Sequence, residues 1–378
     1  MPNIPNIFIS AGESSGDLLG ANLARALLQK NPTVKLTGMG GQRMSDAGVS
    51  IQFDGNKFSV VGLVEIIKQL PSMLSTLRAI KNYLAKTKPD LIILIDLPDT
   101  HFRIMKTAKK WGIPVLYYVS PQIWAWRSGR IKHIKKYVDH MAVLFSFEEK
   151  IYRDAGVPVT FVGHPLGDLV KPAMTKNDSY DFFKLDQDRP IVALFPGSRH
   201  SELANHLLVM QDSVKKMTAK KPDVQWVLVL ADHFDEAMIR AQLSSDIKII
   251  QKNKYDLLQI TDAAIAVSGT VTLEIALMQV PLCIIYKTKP LTAWIARRLI
   301  RTPHIGLCNI VAEKRVAKEL TQENATSDNI ADEILKILSD KNYSDGIKAE
   351  FATLKDKVSI PGKNASERVA EVGLSLVP

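Results

Sequence analysis

Short, uninterrupted apolar runs alternate with amphipathic stretches along this chain, and they do so in two series. The first series is Ile7–Ser10, Lys35–Met39, Leu91–Ile95, Val115–Val119, Met141–Phe145 and Thr160–Val162. The second is Ile191–Phe195, Gln225–Leu230, Ile247–Ile250, Ala263–Val267 and Leu282–Tyr286. Such runs suit strands covered on both faces, as in a parallel sheet. Between them lie helical patterns such as Gly20–Lys30, Glu202–Ala219 and Thr272–Met278. Strand–helix alternation builds βαβ units, so the fold class is α/β with two Rossmann-like, doubly wound domains. The series break at Val170–Pro190, a polar stretch with only a short apolar patch at Phe182–Leu185. This places a first domain at 1–170, a linker at 171–190 and a second domain at 191–345. A helical segment at 346–378 follows and is a candidate to pack back on the first domain.

Composition removes several classes. At 378 residues, with 46% apolar and 23% charged residues, the chain can build large cores and is not a disordered one. Two cysteines, Cys283 and Cys308, are too few for a disulfide framework or a cysteine zinc site. The longest charge-free run, Trp111 to Trp126, has 16 residues and contains Pro114 and Pro121, whereas a membrane span needs about 20 apolar residues. The N-terminal residues lack the basic region of a secretory signal.

The net charge of +10 is unevenly spread. Thr100–Val138 holds nine basic residues and no acid, and Ile275–Ala312 holds five and no acid. The rest of the chain is net acidic. Clustering of this kind points to an anionic partner or to solvated helix faces. No helix-turn-helix, RNA-recognition or zinc-finger pattern accompanies it, so nucleic acid is not the expected partner.

Polar residues gather where strands end. The first run leads into Gly12-Glu13-Ser14-Ser15-Gly16-Asp17, a loop that enters a helix and so suits either an anion site or a capped helix. Its spacing is not the dinucleotide fingerprint, and no Gly-Lys-Ser/Thr phosphate loop occurs. The run Leu91–Ile95 delivers Asp96 and Asp99 to a strand's carboxyl end, where open parallel sheets bind ligands. A carboxylate there can take a proton from a sugar hydroxyl, or cap a helix. Trp124, Trp126 and Arg127 follow the next run and suit a sugar or acyl-chain platform, or core packing. His164 and Asp168 are one residue too close for the His-x4-Asp motif of acyltransferases, and His164 reads as structural. In the second series, Pro196-Gly197-Ser198-Arg199 places a cation and free amides at a helix start, where a diphosphate could sit. Ser268-Gly269-Thr270 opens another helix, and Glu274 one turn on can accept both hydroxyls of a ribose.

The pieces AGESSGDLLGA, GMGGQRM, VGLVEI, IDLPD, YYVSPQIWAWR, VGHPLGD, FPGSR, SGTVTLE and RRLIRT, in this order from residue 11 to about 310, resemble the lipid-A-disaccharide synthase family. The resemblance implies a GT-B glycosyltransferase, with two Rossmann-like domains facing across a cleft. It implies an inverting transfer of 2,3-diacylglucosamine from UDP to 2,3-diacylglucosamine 1-phosphate, giving the β-1,6 lipid A disaccharide 1-phosphate precursor and UDP. No cofactor and no metal are implied. By motif, Asp96 is the catalytic carboxylate, and Arg199, Ser198, Ser268, Gly269, Thr270 and Glu274 bind UDP. Glu13, Ser14, Ser15, Asp99 and Asn309 fall to the acceptor or a phosphate loop. The chain departs from the family at Thr100-His101, usually Phe-Asn, and at Cys308, usually Pro. It also has Ala317-Lys318-Glu319-Leu320 where Pro-Glu-Leu is usual.

The implied substrates are lipids, so the expected location is cytoplasmic, peripheral to an anionic inner-membrane surface. Val61–Lys81 reads as a helix interrupted at Pro71, with Leu63, Ile67, Leu70, Leu74 and Leu77 on one stripe and Ile66, Met73 and Ile80 beside it. The arc is wider than a core face needs, so part of it is expected at the membrane; an ordinary core helix is the alternative. A homodimer is the candidate assembly. The rival functions are another UDP-sugar enzyme of the same fold, such as a soluble epimerase or glycosyltransferase, and a non-catalytic protein that binds anionic membrane.

Overall fold

The computed structural model describes residues 4–58, 63–299 and 302–378; the side chains of 56, 63–70, 291 and 295–297 lie outside that description. The chain divides into two compact units, residues 1–165 with 358–378 and residues 166–357.

The first unit is built on a seven-stranded, wholly parallel sheet. Its strands are β1 (Asn6–Ala11), β2 (Lys35–Gly40), β3 (Ser50–Asp54), β4 (Leu91–Ile95), β5 (Val115–Tyr118), β6 (His140–Val143) and β7 (Val159–Phe161). They lie in the order β3-β2-β1-β4-β5-β6-β7. The second unit has a six-stranded parallel sheet of β8 (Ile191–Phe195), β9 (Gln225–Val229), β10 (Ile247–Ile250), β11 (Ala263–Val267), β12 (Leu282–Tyr286) and β13 (Lys318–Thr321), in the order β10-β9-β8-β11-β12-β13. Both orders are the doubly wound arrangement.

The central strands follow from their composition. Every residue of β4, β5, β8 and β11 is buried, so Leu-Ile-Ile-Leu-Ile and Ala-Ala-Ile-Ala-Val need no polar face. The two strands that the apolar runs do not reveal, β3 and β13, are sheet edges. In β3, Ser50, Gln52 and Asp54 are exposed and alternate with Ile51 and Phe53, so one face is open to solvent.

Residues 171–190 belong to the second unit and carry the helix Lys176–Phe183. The Asp256 carboxylate accepts from the amides of Ala173 and Met174, both at 2.7 Å, and fixes the start of this segment. The chain leaves and re-enters the first unit side by side, where the His164 amide donates to the Val358 carbonyl at 2.6 Å. The last helix, Ala365–Ser375, lies on the first sheet, with Gly373 close to Leu91, Ile93 and Leu116. Its Glu371 pairs with Lys30 at 2.8 Å, at the end of the helix Glu13–Lys30.

The stripe expected at the membrane needs correction. The helix Leu63–Thr87 runs through Pro71 rather than stopping there. Leu77 and Ile80, 6% and 0% exposed, are core residues packed with Phe8, Leu84 and Ile104, and Met73 packs against that core. Leu74 is 45% exposed. Residues 61 and 62, and the side chains of Leu63, Ile66, Ile67 and Leu70, lie outside the described residues. The wide apolar arc is thus explained in its second half by a broad core face.

Two glycines give a matched test of the packing. A Cβ on Gly38 of β2 would stand 2.1 Å from the Ile9 carbonyl oxygen, a backbone atom held in the sheet. Gly346, inside the helix Lys341–Ala352, has open space where a Cβ would go. Gly38→Ala is expected to destabilise its unit by about 1–3 kcal/mol or more. Gly346→Ala is expected to stabilise the second unit by about 0.5–1 kcal/mol through helix propensity. Denaturant midpoints of the two variants check this; equal shifts in the same direction would contradict the packing described.

Candidate active site

Reversal of strand order between β1 and β4, and between β8 and β11, marks a switch point in each sheet. Crevices for ligands open at such points, outside the strands' carboxyl ends. The residues that the motifs assign to catalysis, UDP or the acceptor fall on the four loops that leave these strands or on the helices they enter, with Asn309 as the exception; Trp124, Trp126 and Arg127 follow β5.

In the first unit, Asp96 leaves β4 in a left-handed conformation, φ 51°, and Leu97 follows at φ 48°. The turn is held from three sides. The Asp96 amide donates to the Tyr118 carbonyl at 2.9 Å. The Asp96 carbonyl accepts from the Tyr117 hydroxyl and from His101 Nδ1, both at 2.6 Å. Because a carbonyl can only accept, His101 carries its proton on Nδ1, and its Nε2 accepts from the Ser10 hydroxyl at 2.9 Å. His101 is fully buried, and burial lowers its pKa to about 4, against a smaller opposing effect of the bond to Asp96. His101 is therefore an internal brace, and Thr100 before it is buried as well.

The Asp96 side chain remains open to solvent. Partial desolvation by the surrounding protein raises its pKa and the charge of Glu13 raises it further, against the Leu97 amide, which lowers it. Glu13 opens the helix Glu13–Lys30 at φ 57°. Ser14 and Ser15 are exposed on its first turn, and neither caps it; the N-cap is Gly12, without a side-chain bond. Asp17, expected to cap this helix, instead accepts from the amides of Gly41, Arg43 and Met44 at 2.7–3.2 Å and holds the next one, Gln42–Asp46.

Asp99 sits on the first turn of the helix Pro98–Lys110, paired with Arg130 and, at 3.5 Å, with Arg127. The two tryptophans divide their roles. Trp124 donates its indole N–H to Glu148 at 3.0 Å and meets Phe147 edge-on, so it packs structurally. Glu148 is buried, and burial raises its pKa to about 7 against hydrogen bonds from Trp124, Ser120 and two backbone amides. Trp126 lies under the guanidinium of Arg127, 4.3 Å from the ring centre.

In the second unit, Ser198, Arg199, Ser268, Gly269, Thr270 and Glu274 all line one cavity of about 870 Å3. Gly197 turns the chain at φ 105°, and a Cβ there would clash with Glu202 at 2.6 Å. The amides of Ser198 and Arg199 were expected to be free for a diphosphate. They donate instead to Glu202 Oε2, at 2.9 and 3.3 Å, because this glutamate caps its own helix, His200–Lys220. The Arg199 side chain is 70% exposed and pairs with Glu202 at 3.4 Å. Ser268 donates its hydroxyl to the Ile305 carbonyl at 2.7 Å, which leaves Gly269 and the uncapped start of the helix Thr270–Leu277 to meet an anion. Buried His206 carries its Nδ1 proton to the Glu202 carbonyl at 2.6 Å, and its Nε2 accepts from the Lys287 amide at 2.7 Å. It ties the helix after β8 to the end of β12.

The cavity also contains residues that the motifs did not name. Lys254 forms an ion pair with Glu274, whose Oε2 also accepts from the Tyr255 hydroxyl at 2.9 Å. Both follow β10 at its carboxyl end, and that position was their signal in the sequence.

Asn309 does not belong to a ligand loop. It is fully buried. Its amide nitrogen donates to the Ala317 carbonyl and Glu319, and its oxygen accepts from the amides of Val316 and Ala317, all at 2.8–2.9 Å. It pins the chain entering β13. Cys308 beside it is buried, and burial pushes its thiol up to about 12. Among the described residues no group of three or more His, Cys, Asp or Glu side chains is placed to hold a metal ion.

Residues 7–371 match the lipid-A-disaccharide synthetase family. Lipid-A-disaccharide synthase of Coxiella burnetii (strain Dugway 5J108-111) is 50% identical over 372 residues, covering 98% of both chains. That of Geobacter sulfurreducens is 45% identical, covering 98% of this chain and 97% of its own. Among solved structures, CalG4, the calicheamicin glycosyltransferase, has a TM-score of 0.64 at 14% identity, covering 99% of this chain and 98% of its own. The UDP-GlcNAc 2-epimerase of Neisseria meningitidis has 0.59 at 13%, covering 98% of each chain. These two share the fold, a two-Rossmann-domain GT-B arrangement. The match along the whole chain places this protein in the lipid-A-disaccharide synthase family.

Proposed function

We propose that this chain transfers 2,3-diacylglucosamine from UDP to the 6-hydroxyl of 2,3-diacylglucosamine 1-phosphate, forming the β-1,6 disaccharide 1-phosphate and UDP. The observation that carries the mechanism is Asp96, a carboxylate with raised pKa on a braced turn at a switch point. In a single displacement the acceptor oxygen attacks the anomeric carbon and its proton passes to Asp96. The bond from that carbon to the UDP oxygen breaks, and inversion follows from attack opposite the leaving group. Negative charge grows on UDP, and Arg199 with the start of the helix Thr270–Leu277 supports it. Glu274 suits the ribose hydroxyls, and a ribose bound there would compete with Lys254 for the carboxylate and free that ammonium for phosphate. The epimerase reading rests on fold alone, whereas the relatives at 45–50% identity are disaccharide synthases.

We further infer peripheral attachment to the cytoplasmic face of the inner membrane. Among the described residues no helix is long and apolar enough to cross a bilayer. Exposed Leu74 supports an interfacial patch on the first unit, and exposed Trp294 and Leu299, within the basic stretch Ile275–Ala312, support one on the second.

Three outcomes test these readings. Asp96→Asn is expected to lower turnover by ~10²–10⁴-fold, with UDP affinity retained; near-normal turnover would remove Asp96 from the mechanism. A base acts only when deprotonated, and the Asp96 pKa is raised, so kcat/KM should fall on acidification at a pH above the ordinary aspartate value of 3.8. Glu13→Gln removes one raising cause, and the acid limb should move to lower pH. Second, Arg199→Ala and Lys254→Ala should each weaken UDP binding, read by calorimetry, by about tenfold or more; unchanged affinity in both would place the nucleotide elsewhere. Third, Leu74→Ser with Trp294→Ser should reduce flotation with anionic vesicles without lowering the melting temperature. Flotation unchanged by these substitutions and by high salt would count against the surface.

A further inference from the structure

Beside Asp96 stands a cluster that the mechanism above leaves unused. Arg127 and Arg130 come from one short turn, Ser128–Arg130 with Arg127 before it in left-handed conformation. Both point at one oxygen of Asp99. The guanidinium of Arg130 stacks against Phe102 at 5.2 Å and Trp126 at 5.4 Å, and that of Arg127 lies 4.3 Å from Trp126. Arg130 is 11% exposed, but the Asp99 carboxylate is 78% exposed. Arg130 is therefore the fixed part of the cluster, Arg127, 54% exposed, is held by its stacking on Trp126, and the anion is the loose part. Here a solvated carboxylate rests on one mostly buried guanidinium and a second stacked on Trp126, planar donors of the kind that match the oxygens of a phosphate.

The cluster is also close to the proposed base. Tyr117, whose hydroxyl bonds to the Asp96 carbonyl, feels the charges of Arg130 and Asp99 as well as that of Asp96. A sugar whose 6-hydroxyl meets Asp96 carries its other end only one ring-width away.

We propose that Arg127 and Arg130 form a binding site for a phosphomonoester, the anomeric phosphate of the acceptor, and that Asp99 is a placeholder which this phosphate displaces. The proposal rests on the acceptor named above, and it reassigns Asp99 from ligand contact to competitor. A dianionic phosphate can engage both guanidiniums, whereas Asp99 offers one oxygen to the two. Release of Asp99 to solvent costs little because it is already largely hydrated. The phosphate keeps all its bonds throughout; only hydrogen bonds are exchanged.

The test compares two acceptors, diacylglucosamine 1-phosphate and the same lipid without phosphate, dispersed in neutral detergent. Arg130→Gln should raise KM for the phosphorylated acceptor by ~10–100-fold, with donor KM unchanged. It should leave the dephosphorylated acceptor at the wild-type value. Arg127→Gln, at an exposed position, should act in the same direction and covers the case in which Arg130→Gln does not fold. Asp99→Asn should lower KM for the phosphorylated acceptor or leave it unchanged. A rise for Asp99→Asn matching that of Arg130→Gln would overturn the placeholder role. Equal effects of Arg130→Gln on the two acceptors, or none on either, would overturn the site. Titration of the wild type and the Arg127→Gln/Arg130→Gln double variant with inorganic phosphate reads the site without turnover. Weaker phosphate binding in the double variant supports the site even where the wild type makes no disaccharide, an outcome that would sink the functional reading alone. Flotation with phosphatidylglycerol vesicles separates the other source. Loss of flotation in Arg130→Gln with acceptor KM unchanged would assign the cluster to lipid headgroups and overturn the proposal.

Discussion

The site depends on a constraint of chain winding. A parallel strand is reached by a right-handed crossover, so the chain that runs from β1 outward to β3 lays its helices on one face of the sheet. When it returns to place β4 on the other side of β1, the next helices fall on the opposite face. The loops leaving β1 and β4 then diverge, and a crevice opens between them that neither helix layer covers. The same reversal recurs at β8 and β11. Glu13, Asp96, Arg199 and Thr270 each stand on one of these four loops. These four, which read as chemical in the sequence, are thus among the residues that the winding leaves uncovered.

A loop leaving a buried strand must also hold its shape without a core of its own. The turn at Asp96 and Leu97 places two successive side-chain-bearing residues in the left-handed region, at a cost of about 1–2 kcal/mol each. The doubly bonded Asp96 carbonyl offsets part of that cost. Tyr117 comes from the adjacent strand and His101 from the following helix, so the carbonyl is gripped by the two elements that flank it. A neutral imidazole suits this task, because Nδ1 must donate and Nε2 must accept from Ser10. Burial keeps it neutral well below pH 6.5, the ordinary histidine value. Its folded pKa is depressed, so the brace is intact above that value and is lost as pH falls through about 4.

How much was legible in the sequence follows from what each residue's neighbours supply. β4, β8, β11 and β12 were readable to the residue because strands inside a parallel sheet advertise their burial as apolar runs, and the edge β10 was readable because Ile247, Ile249 and Ile250 keep enough of one. The edges β3 and β13 were not, since a strand open on one side needs no such run; the Ile51 and Phe53 alternation was the faint trace of the first. Asn309 was misread for the opposite reason. A polar residue in a loop looks like a ligand contact until four internal partners are found for it, and none of those partners is visible from spacing. Ile80 was misread because helical periodicity gives the width of an apolar face but not what covers it. Lys254 was missed because β10 and its following loop carry no glycine-rich signal, only their place at a strand end.

The basic stretch Thr100–Val138 shows how one compositional feature separates into two physical roles. Eight of its nine basic residues are exposed, among them Lys106, Lys109, Lys132 and Lys136. Charges of that kind attract an anionic surface at long range, and salt screens them within about 8–10 Å. The lysines among them cannot select one anion from another, because an exposed ammonium on a flexible stem imposes no geometry. Arg130 is the ninth, and it differs from the lysines in each respect that matters for recognition, with Arg127 beside it sharing the Trp126 contact. Its guanidinium is planar, packed against two rings and mostly removed from solvent. Screening by salt is weaker there, and the donor directions are set before any ligand arrives. Attraction and recognition are therefore carried by different members of the same charge cluster. The sequence records only their sum; aromatic packing decides which cation is free to move and which is held in place.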